Sequence, residues 1–209
     1  METREHIQQL RVVGGDPALD FVNTESGPAG GPPDHEALRE YDDFVLWSVQ
    51  IGLLSEGAAR RMLARAATTP DDARAAYTRC IATRGYLHGL FSALAAGRPP
   101  AAEQLVALRS DEVDALGHSE LVADGSGFVW TWEHDEDLVA PLRSIVHAAT
   151  ELLRRGPLDR VKGCGGCSFL FLDESKNGSR RWCSMEDCGA AEKARRYVAR
   201  RAAARRAGS

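Results

Sequence analysis

Apolar residues recur at helical spacing through most of the first three quarters of this chain. From about Asp34, a residue suited to an N-cap, Leu38, Tyr41, Val45, Leu46, Val49 and Leu53 share one face, and Gly52 marks the approach to the helix end. A short polar start and a compact apolar element at residues 17–24 precede it, joined by an irregular loop at residues 26–33 rich in glycine and proline. Ser55 is a partial cap for a helix over residues 58–67, and Pro70 opens a long helix to about Ala96 with Tyr77, Ile81, Leu87, Leu90, Phe91 and Leu94 inward. Gly97, Pro99 and Pro100 break it before an alanine-rich helix to about Ser110.

Between Glu120 and Glu133 the period shortens. Residues 121–123 and 128–132 are β-prone and flank a turn at residues 124–127, so a hairpin is expected. Trp130 and Trp132 fall on one face of its second strand, as core or interface rather than a platform for bases. Residues 134–137 read as a solvated helix start; Asp137 caps a helix that turns Val139, Leu142, Ile145, Val146, Ala149, Leu152 and Leu153 inward and ends before Gly156 and Pro157. That Gly-Pro is the expected domain boundary.

Composition agrees with a globular protein, since 44% of the 209 residues are hydrophobic. No apolar run approaches a membrane span and the N-terminus lacks the pattern of a secretory signal, so a cytoplasmic protein without membrane contact is expected. The net charge of −4 conceals an asymmetry: residues 154–209 hold 14 Lys and Arg against 6 Asp and Glu, net +8, leaving 12 against 24, net −12, for residues 1–153. An acidic body with a basic tail points to an anionic partner for the tail.

Four of the five cysteines lie in the last 46 residues, as C-x2-C-x15-C-x4-C at Cys164, Cys167, Cys183 and Cys188. Two close pairs a hairpin's length apart allow four sulfurs to converge on one structural Zn²⁺. Two disulfides would need an oxidising compartment, and an iron–sulfur cluster is the other metal reading. Four thiolates close the coordination sphere, which excludes catalytic zinc. Gly163, Gly165 and Gly166 suit the tight turn around the metal. Residues 169–172 and 180–182 read as two strands joined through a turn at Asn177 and Gly178, and Ser184 caps a helix whose first turn holds Glu186, Asp187 and Cys188. The fold class expected is therefore mainly α with a small β hairpin (α+β) over residues 1–156, followed by a zinc-stapled β-hairpin and helix module over residues 157–209. The remaining Cys80 sits in a helical stretch and reads as a buried, inert thiol.

Lys176, Arg180 and Arg181 decorate the expected zinc hairpin, and Lys193, Arg196 and Arg200 form one cationic stripe on the last helix, able to meet phosphates or enter a major groove. Two other roles stay open: neutralising a Zn²⁺-thiolate centre, or docking the helix on the acidic body or another protein. The adaptor that this second role describes is the alternative function. A redox switch that ejects zinc is a third. Six histidines without metal-ligand pairing, and no visible nucleophile arrangement, point away from an enzyme. Asp20, Asn23 and Thr24 are expected to bond local backbone.

The residues 164–167, Leu170 to Asp173, the string from Ser175 through Asn177, Gly178, Ser179, Arg180, Arg181, Trp182 and Cys183 to Met185, and Cys188 with Gly189 together resemble the CGNR zinc finger. Residues 18–24, Tyr41 to Asp43, Trp47 and residues 52–54 are similar to the ABATE domain that accompanies this finger. The resemblance implies a stress-induced bacterial transcriptional regulator: DNA binding by the finger, and an N-terminal domain that senses a small-molecule effector or oligomerises, with a homodimer among the possible assemblies. One departure stands out. Where the family has Asn and Arg after Cys-Gly, this chain has Ala190 and Ala191.

Overall fold

The computed structural model describes residues 4–31, 33–132 and 137–207. After a short helix α1 (Glu5–Gln8), the body is organised around α2 (Pro17–Val22). Asp16 caps α2 by accepting from the Ala18 N–H at 2.8 Å, and Pro17 occupies its first turn, where a missing N–H costs nothing. Ala18, Leu19, Phe21 and Val22 are all buried, which explains why six residues form the centre of a core. The Phe21 ring lies 6.0 Å from Phe44 and 5.6 Å from Trp47, both on α3 (Tyr41–Gln50).

That helix begins later than the apolar spacing predicts. Asp34 does not cap it; its N–H donates to the Ser26 carbonyl, and β1 (Glu25–Ser26) pairs with β2 (His35–Glu36). Part of the expected irregular loop is thus closed by a small antiparallel bridge. Leu38 is buried but not helical, held by its N–H to the Glu36 carboxylate at 2.8 Å. An extended segment and a helix both reach the core here, so periodicity alone set the start too early.

Ser55 does cap α4 (Glu56–Thr68), accepting from Ala58 at 3.2 Å. The long α5 (Pro70–Ala95) follows as expected, although its most buried face runs through Ala76, Cys80, Thr83, Arg84, Leu87, Leu90 and Phe91, leaving Tyr77 and Ile81 partly covered. Cys80 is fully buried and its thiol is pushed up by desolvation, as an inert core residue should be. By contrast, α6 (Ala102–Gly117) continues well past Ser110. Tertiary partners hold its polar second half: Tyr86 donates to Asp111 at 2.7 Å, Arg79 to Asp114 at 2.8 Å, and His147 meets Glu112 at 2.8 Å.

The hairpin forms as predicted, with β3 (Ser119–Asp124) antiparallel to β4 (Gly127–Trp132). Trp132 packs at its base, donating to the Ala115 carbonyl at 2.8 Å with its ring 5.3 Å from His147; Trp130 stays exposed. Residues 134–136 lie outside the described residues. Asp137 sits just ahead of α7 (Ala140–Arg155), where its carboxylate accepts from Val139 at 2.9 Å. The inner face of α7 is the predicted one, with Leu142, Ile145, Val146, Ala149 and Leu152 buried.

The second hairpin differs from expectation. Residues 169–172 do not pair with residues 180–182, which form no strand; β6 (Leu170–Leu172) pairs instead with β5 (Val161–Gly163). Val161 and Leu170 join the same apolar core as α2 and α5, and burying that pair selects the partner strand. The helix α8 (Ala190–Ala207) follows a π-helical turn at Met185–Gly189 and, among the described elements, packs chiefly on that turn.

Candidate metal centre and nucleic-acid interface

The β5–β6 hairpin carries the first cysteine pair in its own connection. Cys164 directly follows β5, its N–H donates to the Phe169 carbonyl at 2.8 Å, and Gly165 and Gly166 complete the knuckle. Those glycines answer to close approach rather than to an unusual backbone angle. A Cβ on Gly165 would stand 2.7 Å from the Trp182 ring, and one on Gly166 would stand 2.9 Å from Cys188 Cβ.

Asp173 shapes the loop that returns the chain to the knuckle. It is buried, and its two oxygens accept from Ser175 N–H at 3.0 Å, Ser175 Oγ at 2.6 Å, Lys162 Nζ at 2.7 Å and Arg180 N–H at 3.0 Å. Burial works against its charge, but the bonds from Lys162 and Ser175 hold the carboxyl well below the usual range. Gly178 supplies the predicted left-handed residue at φ 57°. The Gly165 N–H then donates to the Arg181 carbonyl at 3.0 Å, which delivers Cys183 to the first pair. Ser184 caps the next turn by accepting from Glu186 at 3.2 Å and Asp187 at 3.4 Å, and Cys188 follows within that turn.

All four sulfurs lie within 4.8 Å of one another. Cys183 Sγ stands 3.6 Å from Cys167 Sγ and 3.7 Å from Cys188 Sγ. Four sulfurs bonded at about 2.3 Å to one tetrahedral ion would stand about 3.8 Å apart, so the cluster has the dimensions of a four-cysteine zinc site. The N–H groups of Cys183 at 3.2 Å and Gly166 at 3.4 Å both donate to the Cys164 sulfur, bonds that favour its thiolate form. The site is able to bind one zinc ion, which would be held by sulfur alone with no position for water.

Sequence reasoning did not find the residues that tie this centre to the body. Asn23 bonds β6 in both directions, its amide donating to the Leu170 carbonyl at 2.8 Å and its oxygen accepting from the Leu170 N–H at 2.8 Å. The local bonding expected of this trio holds for Asp20, which accepts from Val13 and Gly14, and for Thr24, which donates to Phe21, but not for Asn23. Arg11 pairs with Asp187 and donates to Ser184 Oγ at 3.0 Å. Replacing Asn23 by alanine would leave both buried Leu170 groups unpaired, an expected loss of about 2–4 kcal/mol in urea unfolding, with faster exchange of the Leu170 amide. Unchanged stability would contradict it.

The six basic candidates separate. Arg180 is turned inward: its guanidinium lies 4.3 Å from the centre of the Phe171 ring and donates to the carbonyls of Trp182 at 3.0 Å, Val13 at 3.3 Å and Cys183. Lys176 is exposed on the loop. The other four converge, because Arg181, Lys193, Arg196 and Arg200 line one groove of about 370 Å³ whose remaining walls are Trp182, Gly189, Glu192 and Tyr197. Trp182 and Tyr197 were not foreseen there, although the i, i+4 step from Lys193 to Tyr197 carried the signal. Glu192 accepts from Arg196 at 2.8 Å and Arg195 at 2.8 Å, partly offsetting the groove charge. Ala190 and Ala191 are exposed at the start of α8. A second cavity of about 340 Å³ lies where the body meets the knuckle, lined by Gly30, His88 and Ser92 on one side and Cys164, Cys167 and Ser168 on the other.

Among the described residues no helix is long and apolar enough to cross a membrane. The CGNR zinc finger profile matches residues 160–201. The ABATE profile, described as "Putative stress-induced transcription regulator", matches residues 15–156. No curated protein matches the chain. With the ABATE match covering more than half its length and the four-cysteine cluster inside the finger match, this chain belongs to the ABATE family and carries a C-terminal CGNR zinc finger.

Proposed function

We propose that this protein is a DNA-binding transcription regulator, not an enzyme, and that it contacts phosphates through the groove between Arg181 and α8. The observation that carries the proposal is the convergence of Arg181, Lys193, Arg196 and Arg200 in that groove. All four side chains are exposed, so they can meet an anionic partner. The cavity between body and knuckle supports an effector role for the N-terminal domain, because a ligand there would touch α5 and the metal-binding loop together.

Removing one cation that neutralises a phosphate should reduce the slope of log affinity against log salt by about 0.9 on duplex DNA. Arg196→Ala with Arg200→Ala should flatten that slope by nearly two units and weaken binding roughly tenfold or more, while Lys176→Ala leaves it close to wild type. Binding that ignores salt, or an unaltered slope in the double variant, would sink the proposal. Exposed Met185, Tyr197 and Val198 on the same module favour the second function, an adaptor that docks on protein. Failure to shift any duplex, combined with protein capture that disappears on Val198→Lys, would favour that adaptor.

A further inference from the structure

The β3–β4 hairpin reaches beyond the helices that support its base. In its register Leu121 faces Trp130 and Ala123 faces Phe128, on the same side as Ser119 and Trp132. Trp132 is packed, but Leu121, Phe128 and Trp130 are 54%, 70% and 42% exposed, and Val129 on the opposite side is 41% exposed. Of the twelve large apolar side chains exposed among the described residues, eight fall between Leu105 and Trp130, on α6 and this hairpin. Apolar exposure that concentrated marks a contact surface.

The charges on the two strands differ. β3 carries Glu120 and Asp124, whereas β4 (Gly127–Trp132) has no charged residue. Among the described residues no backbone hydrogen bond from outside the hairpin reaches β4. A two-stranded hairpin is marginal in water, and proteins ordinarily protect a free edge with charge or cover it. Here the edge is long, apolar and unprotected.

We propose that β4 pairs antiparallel with β4 of a second copy across a twofold axis, making a four-stranded sheet that covers Phe128 and Trp130. Charge selects the strand: residues 1–153 carry a net −12, so contact between two copies is opposed least where no charge sits, and β4 is such a strip. Pairing β3 with β3 would crowd Glu120 and Asp124 of one copy against those of the other. A strand pairing antiparallel with itself is self-complementary, as a twofold contact requires, and apolar side chains then meet apolar side chains. The dimer would carry two finger helices on one particle, but its formation does not depend on what those helices bind.

Sedimentation of the full, zinc-loaded chain across a wide concentration range tests this directly. A monomer–dimer equilibrium is expected, with Phe128 and Trp130 amides protected from exchange only at the dimeric end. Phe128→Lys with Trp130→Lys should raise the dimer dissociation constant at least about 100-fold, because two buried apolar anchors become like charges. Since both side chains are exposed in the monomer, far-UV circular dichroism and zinc content should not change. Val198→Lys on α8 should leave the dimer intact. A chain monomeric at every concentration, a dimer that survives the hairpin substitutions, or one broken by Val198→Lys would each overturn the proposal.

Discussion

Removing the metal will unfold the finger and leave the helical body standing. The buried cluster around the centre consists of Cys164, Phe171 and Cys183, with Val13, Cys167, Phe169, Trp182 and Cys188 partly covered against it. Half of those residues are themselves the sulfur ligands, so little apolar area remains to hold the loop from Asp173 to Gly189 once the ligands repel or relax. Structural zinc contributes on the order of 10–16 kcal/mol to small peptides of this kind, more than such a loop can replace. The body is different. Its core runs through α2, α3, α5 and α7 with closely packed aromatic rings, and does not involve the cysteine cluster.

Chelation, or Cys183→Ser, should therefore abolish exchange protection over Cys183–Gly189 while α5 keeps its own. Strands β5 and β6 should respond in between, because Val161 and Leu170 belong to the body core and Asn23 holds Leu170 from outside the finger. Acidification should act like chelation, since protons compete with zinc for the thiolates. Cys80 should stay unreactive to thiol reagents in the metal-free protein, because it is buried in the body and burial raises its thiol. Full protection of the finger without metal would refute a structural role for the ion.

Arg84→Ala should cost about 3–5 kcal/mol, the second largest effect expected, because it breaks a buried ion pair from one side. Arg84 is 1% exposed on α5. Its guanidinium donates to both oxygens of Glu36, with 2.7 Å to Oε1, and to Thr24 Oγ1 at 3.0 Å, while Glu25 lies 3.8 Å away. Burial disfavours the charge, but Glu36 and then Glu25 outweigh it and raise the Arg84 pKa. One side chain thus ties α5 to both strands of the β1–β2 bridge and to the end of α2. Alanine would strand two partly covered carboxylates and open a cavity; Arg84→Met keeps the volume and should lose measurably less. Chemical denaturation of both variants checks the order. Equal losses would mean that charge pairing, not packing, is what Arg84 contributes, and would contradict the expected order.

Arg84 is also a residue whose role the sequence conceals. An arginine in the middle of a helix gives no sign that it is buried, since its partners Glu25 and Glu36 lie almost fifty residues upstream or further. The same holds for Asn23, which looks like a local capping residue until β6 is folded against it. Helices α4, α5 and α7 and the β3–β4 hairpin were legible because period, caps and breakers are local properties. The start of α3 and the end of α6 were not. Each was decided by a distant partner, Ser26 for Asp34 and Arg79, Tyr86 and His147 for the acidic stretch of α6.

The zinc finger divides in the same way. Cysteine spacing by itself determined that four sulfurs could meet around one ion, because the chain lengths between them and the preference of Zn²⁺ for four thiolates leave few other arrangements. The positions of Lys193, Arg196 and Arg200 likewise determined that the last helix is basic, and the Asn177-Gly178 pair that Gly178 turns the loop. Only the tertiary structure decided which strand pairs with β6, that Arg180 points inward as a strut while Arg181 lines the groove, and that α8 packs chiefly on the Met185–Gly189 turn. Strand choice follows from burying Val161 and Leu170 in a core built by remote helices, and the roles of neighbouring arginines follow from which carbonyls and rings the folded chain brings within reach.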